Sequence, residues 1–348
     1  MSHAGIGAIL LTTVLALTNG CSGPLLVRDG ELLRITRSAP GRDADKTAPG
    51  QPVRIGWLGT ACYFIQFGEV ALMTDPYFTH HSLGQVGFGR IRSDPELVER
   101  KTGKLPTPQA IFVGHTHYDH TLDLAEMISQ RRWDGVPIYG SASLENLLCG
   151  YGGHRVSSWR GAATDGNWHT VGPGLEYQAL CSEHAPQIDG ILLYAGQIGQ
   201  PLKSRPTHAA DFKVGDTYAY LYRLSQGAKQ FTIYFADAAA TPPLGFPDVM
   251  VEHVDLAILC VPGWRNVKGY PQGIIRRLRP RHILLSHYDD FFQTDGRRTR
   301  EVPTAELGAF IRVVQGCADY PEFESILVPG VDAVMQIAAV AAPRAAER

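Results

Sequence analysis

The sequence carries no surplus of charge of either sign: 32 Lys and Arg stand against 34 Asp and Glu, a formal net charge of -2. No basic face is implied, which argues against nucleic acid as a partner. No internal repeat is visible, so stacked repeat architectures are excluded. There is no long low-complexity tract either. Cysteine is scarce, with six in 348 residues (Cys21, Cys62, Cys149, Cys181, Cys260 and Cys317), and no disulfide framework can be assigned. What is present is ordinary for a chain that buries a full core: 44% hydrophobic and 19% charged residues. The length suits one large domain or two ordinary ones.

The N-terminus is set apart from the rest. Ala4 to Leu17 is apolar and uncharged, and Thr18-Asn19-Gly20-Cys21 follows. That run is too short for a comfortable membrane span, which takes about 20 residues, and has the layout of a secretory signal. Cys21 after Gly20 resembles the cleavage and acylation site of a bacterial lipoprotein, although Thr18 replaces Leu and Met1-Ser2-His3 lacks Lys or Arg. Residues 1–20 are therefore expected to be a signal peptide and Cys21 the lipidated residue. The protein is expected to be exported and held to a membrane by this lipid anchor, on the periplasmic or cell-surface side. An uncleaved N-terminal anchor is the competing reading. Residues 21–51 are polar, with Pro40, Gly41, Pro49 and Gly50 and no clear periodicity, and read as a tether. Cys62, Cys181 and Cys260 lie in apolar strand-like runs and read as small core residues.

The chemistry is concentrated in Ile111-Phe-Val-Gly-His115-Thr-His117-Tyr-Asp119-His120. Ala110 to Val113 reads as a buried strand that Gly114 ends. Leu122 to Ile128 reads as an amphipathic helix, which leaves the imidazoles on a strand-to-helix loop, where α/β folds place ligands. Imidazole and carboxylate donors suit zinc or a similar divalent ion. A single histidine would read as part of a polar turn; this spacing does not.

Elsewhere short strands dominate. Val53 to Leu58, Tyr63 to Phe67 and Val70 to Thr74 form a meander that ends on Asp75-Pro76. Tyr77 to Gly103, with His80 and His81, reads as a long loop on the substrate side. Val136 to Tyr139, Arg155 to Trp159, Asn167 to Val171 and Leu175 to Ser182 read as strands, with a helix over Ser143 to Leu148 capped by Ser141 or Ser143. The last of these strands runs into Glu183-His184. After an insertion from Gln187 to Gly215, Thr217 to Ser225 and Lys229 to Ala236 form a hairpin that ends on Asp237. Leu256 to Val261 is followed by Trp264, and His282 to Ser286 ends on His287. Gly273 to Leu278 and Ala305 to Gln315 are helical. Phe323 to Val328 and Asp332 to Ala338 are closing strands. The pattern fits two β-sheets packed face to face with helices outside, an α/β architecture of the αβ/βα sandwich type.

His115-Thr-His117-Tyr-Asp119-His120 resembles the His-x-His-x-Asp-His signature of the metallo-β-lactamase superfamily. Arg54 through Thr74-Asp75-Pro76 looks like the opening hairpin of that fold. The likeness extends over nearly all of residues 52–340, which form one hydrolase domain of two similar halves on this reading. It looks closest to the L-ascorbate-phosphate lactonase-like and N-acyl-phosphatidylethanolamine phospholipase D-like branches. Thr60 stands where those branches often carry His, outside the ligand set. The resemblance implies two divalent metal ions, Zn2+ in first place and Mn2+ or Fe2+ as alternatives. His115, His117 and His184 would hold one, Asp119, His120 and His287 the other, and Asp237 would bridge them. A hydroxide shared by the ions would be the nucleophile. Asp119 would also orient it, and Asp75 and Glu183 would support the ligands.

The substrate expected is a small or lipid-like molecule. The segments flanking the ligands hold no Lys or Arg, which disfavours a phosphate. The nearest basic residues in sequence are Arg265, Lys268, Arg90 and Arg92. An ester or lactone resting on Trp264, Tyr288, Phe291 and Phe292 is favoured. A phosphodiesterase is the alternative, and a non-catalytic metal-binding lipoprotein ranks third because all the ligand types are present.

Overall fold

The computed structural model describes residues 27–36, 51–152, 157–188, 190–248, 251, 253–293, 299–303 and 305–341. The candidate signal peptide, Cys21 and much of the expected tether lie outside the described residues.

The chain opens with β1 (Leu32–Thr36). A meander follows, β2 (Val53–Gly59), β3 (Cys62–Phe67) and β4 (Val70–Thr74). Next come α1 (Leu83–Phe88) and α2 (Pro95–Thr102). Then β5 (Ala110–Phe112) leads into the one-turn helices α3 (Tyr118–Thr121) and α4 (Leu124–Met127). β6 (Ile138–Gly140), α5 (Ala142–Cys149) and β7 (Trp159–Gly161) complete the first half. The second half runs through β8 (His169–Gly172), β9 (Leu175–Ser182), β10 (Thr217–Gln226), β11 (Lys229–Ala236) and β12 (Leu256–Cys260). It closes with α6 (Gln272–Leu278), β13 (His282–Ser286), α7 (Leu307–Cys317), β14 (Ser325–Pro329), β15 (Val334–Ile337) and β16 (Val340–Ala341).

Among the described residues the strands form two mixed sheets. One has the order β15-β2-β3-β4-β5-β6-β7, the other β1-β14-β13-β12-β11-β10-β9-β8, with β16 also pairing to β11. β4 to β7 run parallel, as do β11 to β14. The central parallel strands β12 and β13 are buried on both faces, which explains their unbroken apolar runs. The sheets meet through aromatic side chains. Phe112 of β5 lies 5.3 Å from Tyr220 and 4.8 Å from Tyr222 of β10, ring to ring. This is the αβ/βα sandwich that the sequence pattern predicts.

The two halves exchange edges. β1, from the N-terminal side, pairs with β14 in the second sheet, and β15, from the C-terminal side, pairs with β2 in the first. Neither sheet is therefore complete without the other end of the chain. β1 corrects the tether reading for part of residues 21–51. It is an edge strand with only partial burial and so shows no clean alternation.

Two further expectations change. The stretch read as a loop from Tyr77 to Gly103 contains α1 and α2. Caps start both: Ser82 and Gln85 form a reciprocal capping box, and Asp94 accepts from the N–H groups of Glu96 and Leu97 with Pro95 in the first turn. The helix expected over Leu122 to Ile128 is the shorter α4, and a separate turn of helix, α3, precedes it from Tyr118, so His120 sits on a helix and not a loop. Cys181 is exposed, contrary to the core reading, whereas Cys62 and Cys260 are buried. No helix among the described residues is long and apolar enough to cross a membrane.

Candidate metal centre

The site is built where strands end. β5 stops at Phe112, and the Gly114 N–H donates to Asp75 Oδ1 across 2.9 Å, tying the motif to the end of β4. The Thr116 N–H and hydroxyl both donate to the Val214 carbonyl, at 2.9 Å each, so the His115-Thr116-His117 segment is clamped from the insertion. Thr121 donates back to the His117 carbonyl at 2.9 Å, which closes the first turn of α3 and sets Asp119 and His120. His184 follows β9, Asp237 follows β11, and His287 follows β13.

Six of these side chains converge on two small volumes. His115 Nε2 faces His117 Nδ1 at 3.1 Å, and the His184 ring lies 4.7 Å from His115 and 5.0 Å from His117, centre to centre. Beside them, His120 Nε2 faces His287 Nε2 at 3.2 Å, and Asp119 Oδ2 is 3.3 Å from His287 Nε2. In both groups, as in a third of His115, His120 and Asp237, one donor atom per residue lies within 4.8 Å of the others.

The donors fit a divalent metal. The imidazoles of His115, His117 and His120 are buried, and burial pushes each well below its ordinary pKa, so each offers a lone pair. Burial also lowers His184. Two neutral imidazole nitrogens pointing at one another at about 3 Å gain little from one hydrogen bond, but share a cation well. Burial alone would raise Asp119, yet the His120 and His287 imidazoles overcome it and hold the carboxyl well below the usual carboxylate range. His287, which burial would lower, is raised by its hydrogen bond to Asp119.

Asp237 lies elsewhere. β11 ends at Ala236, which pairs with Leu259, so the next residue leaves the sheet with no slack. Its Oδ2 is 2.7 Å from His115 Nδ1 and 3.5 Å from His120 Nδ1, on the far edge of both rings from the two groups above. With His115 and His120 it makes up the third of the groups above. Asp75 shares this layer, with Oδ2 3.3 Å from His120 Nδ1. Burial pushes the Asp75 carboxyl well up, and the charge of Asp237 adds to it.

The expected substrate wall is only half present. Phe291 meets His287 edge to face at 5.3 Å and lies tilted against Phe292 at 4.5 Å. Tyr288 is a correction: it is fully buried, its ring lies 5.3 Å from Trp57, and its hydroxyl donates to the Pro329 carbonyl. Trp264 is another. Its indole N–H donates to the Ala305 carbonyl at 3.1 Å and its ring packs on Phe310, which leaves its polar edge nothing to offer a ligand. Glu183 accepts from the Thr241 N–H at 2.8 Å rather than supporting an imidazole. Arg265 is paired with Glu306 at 2.6 Å.

Two tyrosines escape a reading of the sequence. Tyr77, directly after Asp75-Pro76, is buried, with an unpartnered hydroxyl and its ring against Tyr118 and Phe291. Its place after the strand-terminal Asp-Pro is the one signal that points to it. Tyr194, from the insertion, covers His117 edge-on at 6.2 Å. Burial, then the charge of Asp119, push its phenol up to about 12, so it stays protonated. Nothing in the insertion marks Tyr194 out.

The family profile described as Beta-lactamase superfamily domain matches residues 72–288, more than half of the chain, from within β4 to just past His287. A metal-dependent hydrolase of Cupriavidus necator is 25% identical over 316 residues, which cover 87% of this chain and 92% of that one. Among solved structures, a possible metal-dependent hydrolase from Veillonella parvula aligns with a TM-score of 0.51 at 14% identity, covering 82% of this chain and 100% of that one. The isothiocyanate hydrolase from Delia radicum gut bacteria aligns at 0.49 and 17% identity, over 82% of this chain and 100% of its own. The chain belongs to the metallo-β-lactamase superfamily and is a metal-dependent hydrolase of that fold.

Proposed function

We propose that the chain hydrolyses a neutral or weakly charged carboxylic ester or lactone at a centre of two divalent ions, zinc in first place. His115, His117 and His184 would hold one ion and Asp119, His120 and His287 the other. Bound there, the pair supplies a water of lowered pKa and polarises the scissile group. The chain's own residues do the rest. Asp119 stays ionised and accepts a hydrogen bond that orients the attacking water. Phe291 and Tyr194 flank the two groups with apolar surface and exclude bulk water. Export and acylation at Cys21 belong to the same proposal and rest on the N-terminal sequence pattern.

One observation carries the substrate class. Among the described residues no Lys or Arg hydrogen-bonds or pairs with His115, His117, Asp119, His120, His184, Asp237 or His287; the charged groups they pair with are each other and Asp75. A phosphoryl group would need such cations. The test compares kcat/KM on a matched aryl ester and bis-aryl phosphodiester, with Arg265→Ala and Lys268→Ala alongside. A preference for the ester, unchanged in both variants, is expected. A strong preference for the phosphodiester that collapses in either variant would promote phosphodiester hydrolysis in its place.

A further inference from the structure

We infer that the rim of the metal centre faces a lipid bilayer, so that the ester or lactone is taken from the lipid phase. The inference rests on the membrane attachment proposed above. It follows from where the N-terminal segment is fastened. Val27 is buried and forms a backbone bridge with Thr299. The Thr299 hydroxyl donates to Asp29 Oδ1 and accepts from the Val331 N–H, at 2.7 Å each. The Gly30 N–H donates to the Val331 carbonyl at 2.7 Å. Just beyond Thr299, Glu301 bridges to Asp289, close after His287. β1 then starts with Leu32 opposite Pro329, at the C-terminal end of β14, and β14 runs parallel to β13. The segment is therefore held at the pole where His287 leaves the sheet.

The reach of the chain does the rest. Cys21 lies six residues before Val27. Six extended residues span at most about 20 Å. A domain of this length has a radius of gyration of about 20 Å and is roughly 50 Å across. A lipid on Cys21 therefore cannot lie under the opposite pole. An uncleaved anchor ending at Leu17 would have ten residues, at most about 35 Å, with the same result. A free tether over residues 21–51 would reach about 100 Å and allow any orientation. β1 removes that freedom.

The two poles differ in side-chain chemistry in the same sense. Among the described residues the exposed large apolar side chains are Leu33, Phe88, Ile191, Leu244 and Val334. Phe88 lies on the segment that leaves β4, Ile191 on the insertion after His184, and Leu244 on the loop after Asp237. Leu33 pairs with Val328, next to the end of β14, and Val334 opens β15 opposite Gly56, near the end of β2. At the other pole the strand starts carry ion pairs: Arg279 with Glu322, and Arg281 with Glu324 and the buried Asp255. Singly, an exposed apolar residue needs no explanation. Grouped at the pole that a short tether turns towards lipid, these suit the interfacial zone of a bilayer, where buried apolar area supplies binding.

The test places the full chain, isolated from membranes, in phosphatidylcholine vesicles. A fluorophore is attached at Leu244→Cys or at Glu322→Cys, each in a Cys149→Ser, Cys181→Ser, Cys317→Ser background, and is quenched by nitroxide-labelled lipid. Strong quenching at position 244 and none at 322 is expected. A second variant inserts about thirty Gly and Ser residues between Cys21 and Val27, a flexible coil that frees the orientation. It should lower the rate on a long-chain aryl ester dissolved in the vesicles several-fold, because effective concentration falls with linker length. Its rate on a water-soluble aryl acetate should not change. Equal quenching at both positions, or at neither, in vesicle-bound protein would overturn the inference. Unchanged rates on both esters in the linker variant would overturn delivery from the lipid. A wild-type protein inactive on both esters would refute the ester reading and leave the orientation to the quenching alone. A full chain found only in the soluble fraction would refute the membrane attachment, and this orientation with it.

Discussion

The His287 N–H donates to the Thr60 carbonyl across 3.0 Å, and both residues hold positive φ, 61° and 51°. The bond joins the turn between β2 and β3 in one sheet to the end of β13 in the other, at the rim of the metal centre. Neither residue is glycine, so both conformations are costly and must be held by their surroundings. Asp289 holds Thr60: its two carboxylate oxygens lie 3.0 and 2.9 Å from the Thr60 N–H. The Trp57 indole and the Ser286 hydroxyl also donate to the Thr60 carbonyl, at 2.9 and 3.3 Å. The turn therefore sets where His287 points.

Asp289→Ala should release this joint. It leaves the buried Thr60 N–H without its acceptor, which costs about 1–3 kcal/mol of stability. More tellingly, on the two-ion proposal it should weaken the ion assigned to Asp119, His120 and His287 about 10–100-fold, by loosening one ligand, and leave the ion assigned to His115, His117 and His184 within about twofold. Chelator-competed metal titration with a urea midpoint on the same preparations reads both. Equal weakening of both ions would mean a general loss of structure rather than a loosened His287.

A second consequence concerns acid, away from the metal centre. His282 is 2% exposed at the start of β13. Burial, reinforced by Arg281 and Arg34 and opposed by Glu324 and Asp255, lowers its pKa to about 4. Its Nδ1 lies 3.0 Å from the Ser325 hydroxyl, and its Nε2 lies 3.5 Å from Glu324. The folded pKa is below the unfolded value of about 6.5, so the unfolded chain binds more protons between the two. Stability from the neutral ring is fully present above about pH 6.5 and is lost as pH falls towards about 4. His282→Gln should narrow the drop in urea midpoint between pH 7 and pH 4.5. The buried imidazoles of the metal centre contribute equally in both proteins, so an unchanged drop would exclude His282 as a source.

How much of this could be read in advance depends on whether the signal is linear. His115, His117, Asp119 and His120 are close in sequence, so their convergence is visible without a fold. β4, β5, β11, β12 and β13 are buried on both faces and announce themselves as apolar runs. β1 does not, because an edge strand needs neither face to be apolar. α1 and α2 are short and rely on their caps more than on an apolar stripe. Trp264 and Tyr288 misled because nearness in sequence to His287 or to a strand end does not say which way a ring points.

A third prediction lies with the N-terminus. Acylated Cys21 would place the protein in the membrane fraction, and Cys21→Ser should release it or leave it unprocessed. One acyl chain binds only marginally, so stable retention requires more than one. Mass spectrometry of the isolated protein checks this directly. An intact, unmodified Met1 would refute export with processing.

The last prediction separates the two aromatic pairs near the end of β13. Phe291 touches His287 by its ring edge and carries Phe292 behind it, so it is placed to contact a bound acyl or leaving group. Tyr288, three residues earlier, faces the opposite way and ties the core to Pro329. Phe291→Ala should raise KM for an aryl ester by about 10-fold or more, since even one methylene in a hydrophobic pocket is worth about 1–3 kcal/mol, while stability falls by less than in a core deletion. Tyr288→Phe should do the reverse. It removes a buried donor and leaves the Pro329 carbonyl without it, so about 1–3 kcal/mol of stability is lost, with KM unchanged. Paired measurement of KM and urea midpoint in the two variants decides the matter. A rise in KM in Tyr288→Phe with none in Phe291→Ala would return Tyr288 to the substrate wall and remove Phe291 from it.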